Sequence, residues 1–256
     1  MTLVRTLLLL SLLFYPAQLK GAAKESQQPF EQALKASRLG NWVEALTLWD
    51  TVVTEVPDDA AAWSNRGNVR LALGDIEGAI WDQDKAIVLD PIAADPHLNR
   101  GIAREALQQW REAADDYNWI LERYPNDASA LYNLGNVQGS QGDWLQAQTL
   151  YRRAAEARPG FAMARSSTAL ASYQLGDLAE AEQELRNLIR RYPMFADARA
   201  ALSGLLWRQG SIGEAESHWA AVTGLDPRYR DPVWLLKVRR WPPKPVDDLS
   251  RFLALE

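Results

Sequence analysis

The chain has 256 residues, with 28 Lys and Arg against 33 Asp and Glu, for a formal charge of −5, and it contains no cysteine. Charges of both signs are interspersed without a long block of either, which excludes the electrostatic footprint of a nucleic-acid binder. The lack of Cys excludes disulfides, thiolate metal sites and cysteine nucleophiles. Eleven Trp and an abundance of Ala suit packed helices, with small residues at crossings and large rings in the gaps.

In chain order, Arg5 precedes a Leu-rich run from Thr6 to Tyr15, which Pro16, Gln18 and Lys20 end. That is the pattern of a secretory signal, and the run is too short for a comfortable bilayer span, which takes about 20 apolar residues. Residues 1–23 are therefore expected to be an export segment cleaved near Ala23. If uncleaved, the segment is an N-terminal anchor, the one route to a membrane that the sequence offers.

The rest of the chain repeats. Pro57, Pro91, Pro125, Pro159, Pro193 and Pro227 recur every 34 residues, as do Ala45, Ala79, Ala113, Ala147, Ala181 and Ala215. Gly40, Gly74, Gly142, Gly176 and Gly210 keep the same step, with Gln108 in the one missing place. Six units result, 26–59, 60–93, 94–127, 128–161, 162–195 and 196–229. Each reads as a helix hairpin. The Gly permits a left-handed helix end, and the Asp or Asn after it begins the next helix. Pro closes the second helix, because it lacks an N–H and disfavours helical geometry in the residue before it. Gly67, Gly101 and Gly135, with Ala33, Ala169 and Ser203 elsewhere, let the two axes approach closely.

Trp63, Arg66-Gly67, Leu73-Gly74-Asp75, Ala79, Ala86 and Leu89-Asp90-Pro91 in one unit, and Leu131, Leu134-Gly135, Gly142-Asp143, Ala147, Tyr151, Ala154 and Pro159 in another, resemble tetratricopeptide (TPR) repeats. The resemblance covers six 34-residue units, residues 26–229, and implies an all-α fold, a right-handed α-solenoid of six TPR hairpins with a C-terminal capping helix. Arg66 and Arg100 depart from the pattern by replacing Leu, and Arg70 and Arg104 by replacing an aromatic. They are expected to pair with Asp82, Asp115 or Asp116 in adjoining helices. For the cap, over 230–256, Asp231 is placed to N-cap a helix starting at Pro232 and running to Trp241. After Pro242, Pro243 and Pro245, the spacing of Val246, Leu249, Phe252 and Leu253 suggests a short terminal helix. With the export segment and the repeats, the tail Arg239-Arg240-Trp241-Pro242-Pro243 is similar to a group of cyanobacterial and plant-chloroplast TPR proteins, which implies the thylakoid lumen or the periplasm.

The family's peptide-binding positions, carried onto this sequence, are Asn65, Asn99 and Asn133, with Asn68 and Asn136 one turn further along. Such a row resembles the asparagine ladder of the O-GlcNAc transferases, and its amides can satisfy an extended main chain. Inter-repeat hydrogen bonding is the alternative role for the same residues. Leu98, Ile102, Tyr132, Leu170, Tyr173 and Trp207 would supply apolar pockets, or else pack between repeats. Ser64, Ser129 and Asn133 stand where a clamp for acidic chaperone tails needs Lys or Arg, which disfavours that ligand.

Nothing points to catalysis. His97 and His218 lie on different helices of distant repeats, and no Gly-rich motif has the strand and GK[ST] context of a phosphate cradle. The acid pairs Asp58-Asp59, Asp115-Asp116 and Asp247-Asp248 read as capping or solvated charge. The expectation is therefore a non-enzymatic scaffold or assembly factor for a protein or peptide partner, with no cofactor, metal site, nucleic acid or small-molecule substrate. An oligomeric structural scaffold that associates through its convex face or its caps, using Trp207 and Trp241, is the second reading. An enzyme is a distant third.

Overall fold

The computed structural model describes residues 24–254, so the expected export segment lies outside the described residues. Fourteen α-helices and one 3-10 turn are found among them, and no strand. Twelve helices form six hairpins: α1 (Lys24–Arg38) with α2 (Trp42–Glu55), α3 (Ala60–Leu73) with α4 (Ile76–Leu89), α5 (Ala94–Ala106) with α6 (Trp110–Arg123), α7 (Ala128–Ser140) with α8 (Trp144–Ala157), α9 (Ala162–Leu175) with α10 (Leu178–Arg191), and α11 (Ala196–Arg208) with α12 (Ile212–Leu225). A 3-10 turn (Pro227–Arg230), α13 (Pro232–Lys237) and α14 (Pro243–Leu253) follow. The chain divides into two compact units, one reaching to Pro125 and one beginning at Asn126.

Local chemistry sets the hairpins. Asp59 and Asp127 cap the first helices α3 and α7 by accepting from the Ala62 and Ala130 amides at 3.1 and 2.7 Å, and Asp75 and Asp143 cap the second helices α4 and α8 in the same way. Gly74 ends α3 with φ +89°, a left-handed conformation in which a Cβ is disfavoured. Gln108, where the Gly series lapses, still takes φ 59°, so the turn geometry prevails over the residue's own preference. The alanines of the 34-residue series are all buried, at 0 to 1% exposure, where paired helices cross.

In the first unit, a core of Phe30, Trp49, Val52, Val53 and Val69 fills the space among α1, α2 and α3. Gly101 faces Tyr117 so closely that a Cβ would lie 2.5 Å from the ring's Cε1 and 2.8 Å from Cζ. The ring has no room to retreat, since Tyr117 is fully buried and its hydroxyl donates to Glu105. Gly101→Ala is accordingly expected to destabilise the first unit by about 1–3 kcal/mol through overpacking, as read from urea unfolding midpoints.

In the second unit the larger core joins the last two hairpins to the tail. Leu185, Leu188, Leu202, Leu205, Trp219 and Val222 pack with Tyr229, Leu235, Trp241, Val246, Leu249 and Phe252. Asp231 caps α13 as expected, accepting from the Val233 and Trp234 amides, but the helix stops at Lys237 and does not reach Trp241. The reason is a competing attraction: Arg239 and Trp241 leave the helix to bond a buried carboxylate on α11. Arg240 between them adopts φ 55°. The terminal helix α14 takes in Pro243 and Pro245 at its start, where a missing N–H costs no helical bond, and packs on the first helices α11 and α9.

Candidate functional site

The candidate asparagines separate into two settings. In the first unit Asn65 and Asn68 on α3 and Asn99 on α5 are fully buried, at 0% exposure. Gln83 of α4 donates to Asn68 Oδ1 at 3.1 Å and to the Ser64 carbonyl at 2.9 Å, which places Asn68 inside the hairpin packing. In the second unit Asn133 is 6% exposed. Asn136 donates to its Oδ1 at 3.5 Å and accepts from the Tyr151 hydroxyl at 3.0 Å. Asn65, Asn68 and Asn99 thus do not present a row of open donors and acceptors, whereas Asn136 is half-buried. Among the apolar candidates, Leu98 and Leu170 are buried, while Ile102 is half-buried beside Leu71, Ala79 and Ala103. Tyr132 is half-buried against Tyr151 and Phe161, with ring centroids 5.5 and 5.0 Å away.

The four departing arginines are paired. Arg66 grips Asp82 through Nε at 3.0 Å and Nη2 at 2.7 Å and reaches Asp50 of the preceding hairpin at 3.0 Å. One repeat later, Arg100 grips Asp116 at 2.6 Å and reaches Asp84 at 2.6 Å. Arg70 and Arg104 add 3.2 and 2.7 Å contacts to the same two buried aspartates. Asp115 is exposed and takes no part in these bonds. Burial pushes the Asp82 carboxyl above its ordinary value. At Asp116 burial acts the same way, but hydrogen bonds from His97 and Arg100 and the Arg104 charge outweigh it and hold the carboxyl below the ordinary range. His97, 3.1 Å from Asp116, stacks on Trp119 with centroids 3.7 Å apart, so it is a packing residue. Asp116 and Asp248 thus correct the reading of the acid pairs as surface charge, since each is buried.

In the second unit the sites assigned to a partner in the last two hairpins are already filled. The Tyr173 hydroxyl donates to Asp248 of α14 at 2.9 Å, and Arg208 donates to the same oxygen at 2.9 Å. Burial and the neighbouring carboxylate push the Tyr173 hydroxyl well above its usual range, which keeps it a donor. Gln174 accepts from the Lys244 amide at 2.8 Å, and its carbonyl accepts from Lys244 Nζ at 2.7 Å. Trp207 is half-buried against the same core. Gly204 lies where a Cβ would meet the Leu249 backbone nitrogen at 3.1 Å and its Cα at 3.2 Å, so α14 lies backbone-close on α11. Gly204 occupies the place in its repeat that Asn136 and Asn68 occupy in theirs.

Beside α14, Asp197 of α11 gathers the preceding tail. It accepts from Ser166 Oγ at 2.6 Å, Tyr229 Oη at 2.8 Å, Arg239 Nη2 at 2.6 Å and Trp241 Nε1 at 3.1 Å. Burial opposes ionisation of Asp197, yet the Arg239 charge and these donors prevail and hold its carboxyl below the ordinary range. Trp241 is only 2% exposed, so it closes the tail and offers no association surface. Sequence reasoning flagged the Arg239 to Pro243 tail but missed its receptor residues Asp197, Gln174 and Arg208, because their pairing with the tail has no counterpart in the repeat pattern.

A furrow of about 360 Å³ is lined by α8, α9 and α10. Arg152 and Glu180 bridge it at 2.9 Å, and Arg165 pairs with Glu184, so most of its charged groups already have partners.

Tandem hairpins of this kind, each stacked on the next within its unit, define a helical-repeat protein. Residues 30–97, 98–138, 136–186 and 173–229 match the tetratricopeptide-repeat model, and the chain belongs to that family. Similar solved structures include PilW, a widely conserved type IV pilus biogenesis factor, at 21% identity and TM-score 0.71, covering 80% of this chain and 96% of that one. A tetratricopeptide-repeat protein from Parabacteroides merdae follows at 16% identity and TM-score 0.67, over 91% and 100%. YrrB, a TPR protein with an unusual peptide-binding site, matches at 22% identity and TM-score 0.54, over 70% and 92%. At such low identities these likenesses show the fold. None of the curated proteins compared matches the chain.

Proposed function

We propose that the chain is a non-catalytic scaffold or assembly factor that holds a partner polypeptide on the first-helix faces of its hairpins. The observation that carries this reading is α14: a helix of the same chain is held by Tyr173, Gln174 and Arg208 on first helices, so that face binds polypeptide within the molecule itself. Family membership and the peptide-binding site described for YrrB agree with it. The side chains best suited to chemistry, Asp82, Asp116, Asp197, Asp248 and His97, are committed to structural bonds. The export-like segment 1–23 and the tail support, as part of this proposal, work in a periplasm or thylakoid lumen after cleavage near Ala23.

Given the buried asparagines, partner contact on the first-helix face falls to partly open positions such as Ile102. A photo-crosslinking residue at Ile102 in the native chain is expected to capture a defined polypeptide, while the same residue at Leu145, exposed on the second helix α8, does not. Capture from Leu145 alone would instead support association through the second-helix face. N-terminal sequencing of the mature chain checks the compartment, with a start after Ala23 expected.

A further inference from the structure

We propose that the surface formed by α9 and α11 is a receptor for an amphipathic helix bearing a carboxylate, and that α14 is a built-in occupant which a partner helix of the same chemistry displaces. This rests on the reading that first-helix faces bind polypeptide.

The occupant defines the chemistry the receptor reads. Along Pro243–Leu253, Val246, Leu249 and Phe252 recur every third residue and are buried at 1 to 4% exposure. Asp247 and Arg251 face outward as an exposed pair at 2.9 Å, while the exposed Lys244 reaches back to Gln174 of α9. Asp248 stands beside the apolar stripe and takes two donors, one from the buried Tyr173 and one from Arg208, whose side chain is 47% exposed. A ligand must therefore present three apolar residues at helical spacing and one carboxylate among them. Gly204 admits the ligand's backbone to van der Waals distance, a concession a scaffold makes for a closely docked segment.

The connection between α14 and the rest lets it leave alone. The buried anchor of the tail, Arg239 and Trp241 on Asp197, ends just before Pro242, and α14 starts at Pro243, so the anchor and the helix are separate along the chain. Its N-cap, Pro242, makes no side-chain bond. Releasing α14 breaks the bonds to Tyr173, Arg208 and Gln174 and none of those to Asp197. By contrast, Ala200 through Leu206 of α11 are buried without interruption, so that helix is covered on both its hairpin side and its α14 side and calls for an occupant.

The test uses the full chain and a fluorescent peptide of residues 242–254. Leu249→Ala with Phe252→Ala in the chain weakens the internal occupant, and peptide affinity by anisotropy is expected to rise at least about tenfold over wild type. A peptide carrying Asp248→Ala is expected to bind about tenfold more weakly. Equal affinity for the two chains, or indifference to the carboxylate, overturns the proposal. Should the doubly substituted chain fail to fold, hydrogen exchange on the wild-type chain decides. Amides from Leu249 to Phe252 are expected to exchange at least about tenfold faster than those of α11 and α12, and equal protection makes α14 a fixed part of the core. A wild-type chain that elutes as an α14-exchanged dimer assigns the surface to a second copy and likewise overturns the proposal. Partner capture through Ile102 alongside a fixed α14 would refute this inference and leave the scaffold reading standing.

Discussion

Asp197→Ala is expected to lower the stability of the second unit by about 3–5 kcal/mol, because it removes one member of a buried ion pair and strands the other. Arg239 has a side chain only 11% exposed and would keep its charge without a counterion. The Tyr229 hydroxyl and the Trp241 indole would lose their acceptor in the same step. Urea unfolding followed by exchange protection in α11 and α12 measures the loss, and a change below about 1 kcal/mol would contradict the buried pair. The same carboxylate fixes an acid response. Its folded-state value is depressed, so its contribution is fully present above the ordinary Asp value near about 4 and is lost as pH falls through the lower folded value. The wild-type second unit should hold steady from neutral pH down to about 4 as far as this group is concerned, then weaken. The Ala variant should lack that component of acid sensitivity.

Trp49→Ala is expected to cost the first unit about 3–5 kcal/mol, the range for deleting a buried aromatic and leaving a cavity. Trp49 is fully buried, its Nε1 donates to Ser37 at 2.9 Å, and the Phe30 ring meets it edge-on at a centroid distance of 4.9 Å. Trp49→Phe retains most of the packing and loses the hydrogen bond, so its cost should be nearer about 1–3 kcal/mol. The two unfolding midpoints, compared with wild type, separate volume from polarity. Equal effects from both substitutions would assign the loss to the Ser37 bond.

The hairpins were legible because the features that build them recur. A Gly at a left-handed turn, an Ala at a crossing and a Pro after a second helix act within a few residues, and each repeats six times or nearly so. The Arg66 and Arg100 pairings were legible for the same reason, since an arginine on a first helix and an aspartate on the next recur together. The burial of the asparagines was not legible, because a 34-residue spacing identifies equivalent positions and does not say which way they face. The docking of α14 was invisible in the repeat pattern altogether: Tyr173, Arg208 and Asp248 are brought together across 75 and 40 residues of chain, and none has an equivalent partner elsewhere. Proline punctuation announced a terminal helix, but its landing place depends on long-range contacts.

The two rungs built by Arg66 and Arg100 sit one repeat apart, each reaching back to the preceding hairpin and forward to its own second helix. A rung of this design carries its own register, so copying or deleting a whole hairpin among such units leaves every remaining arginine with a carboxylate on each side. The tail of the second unit has no such tolerance, being keyed to single residues of particular hairpins. Change in the number of repeats is therefore open where the rungs stand and closed where Asp197 and Gly204 receive the tail, so lineages of this protein should lengthen or shorten from the front.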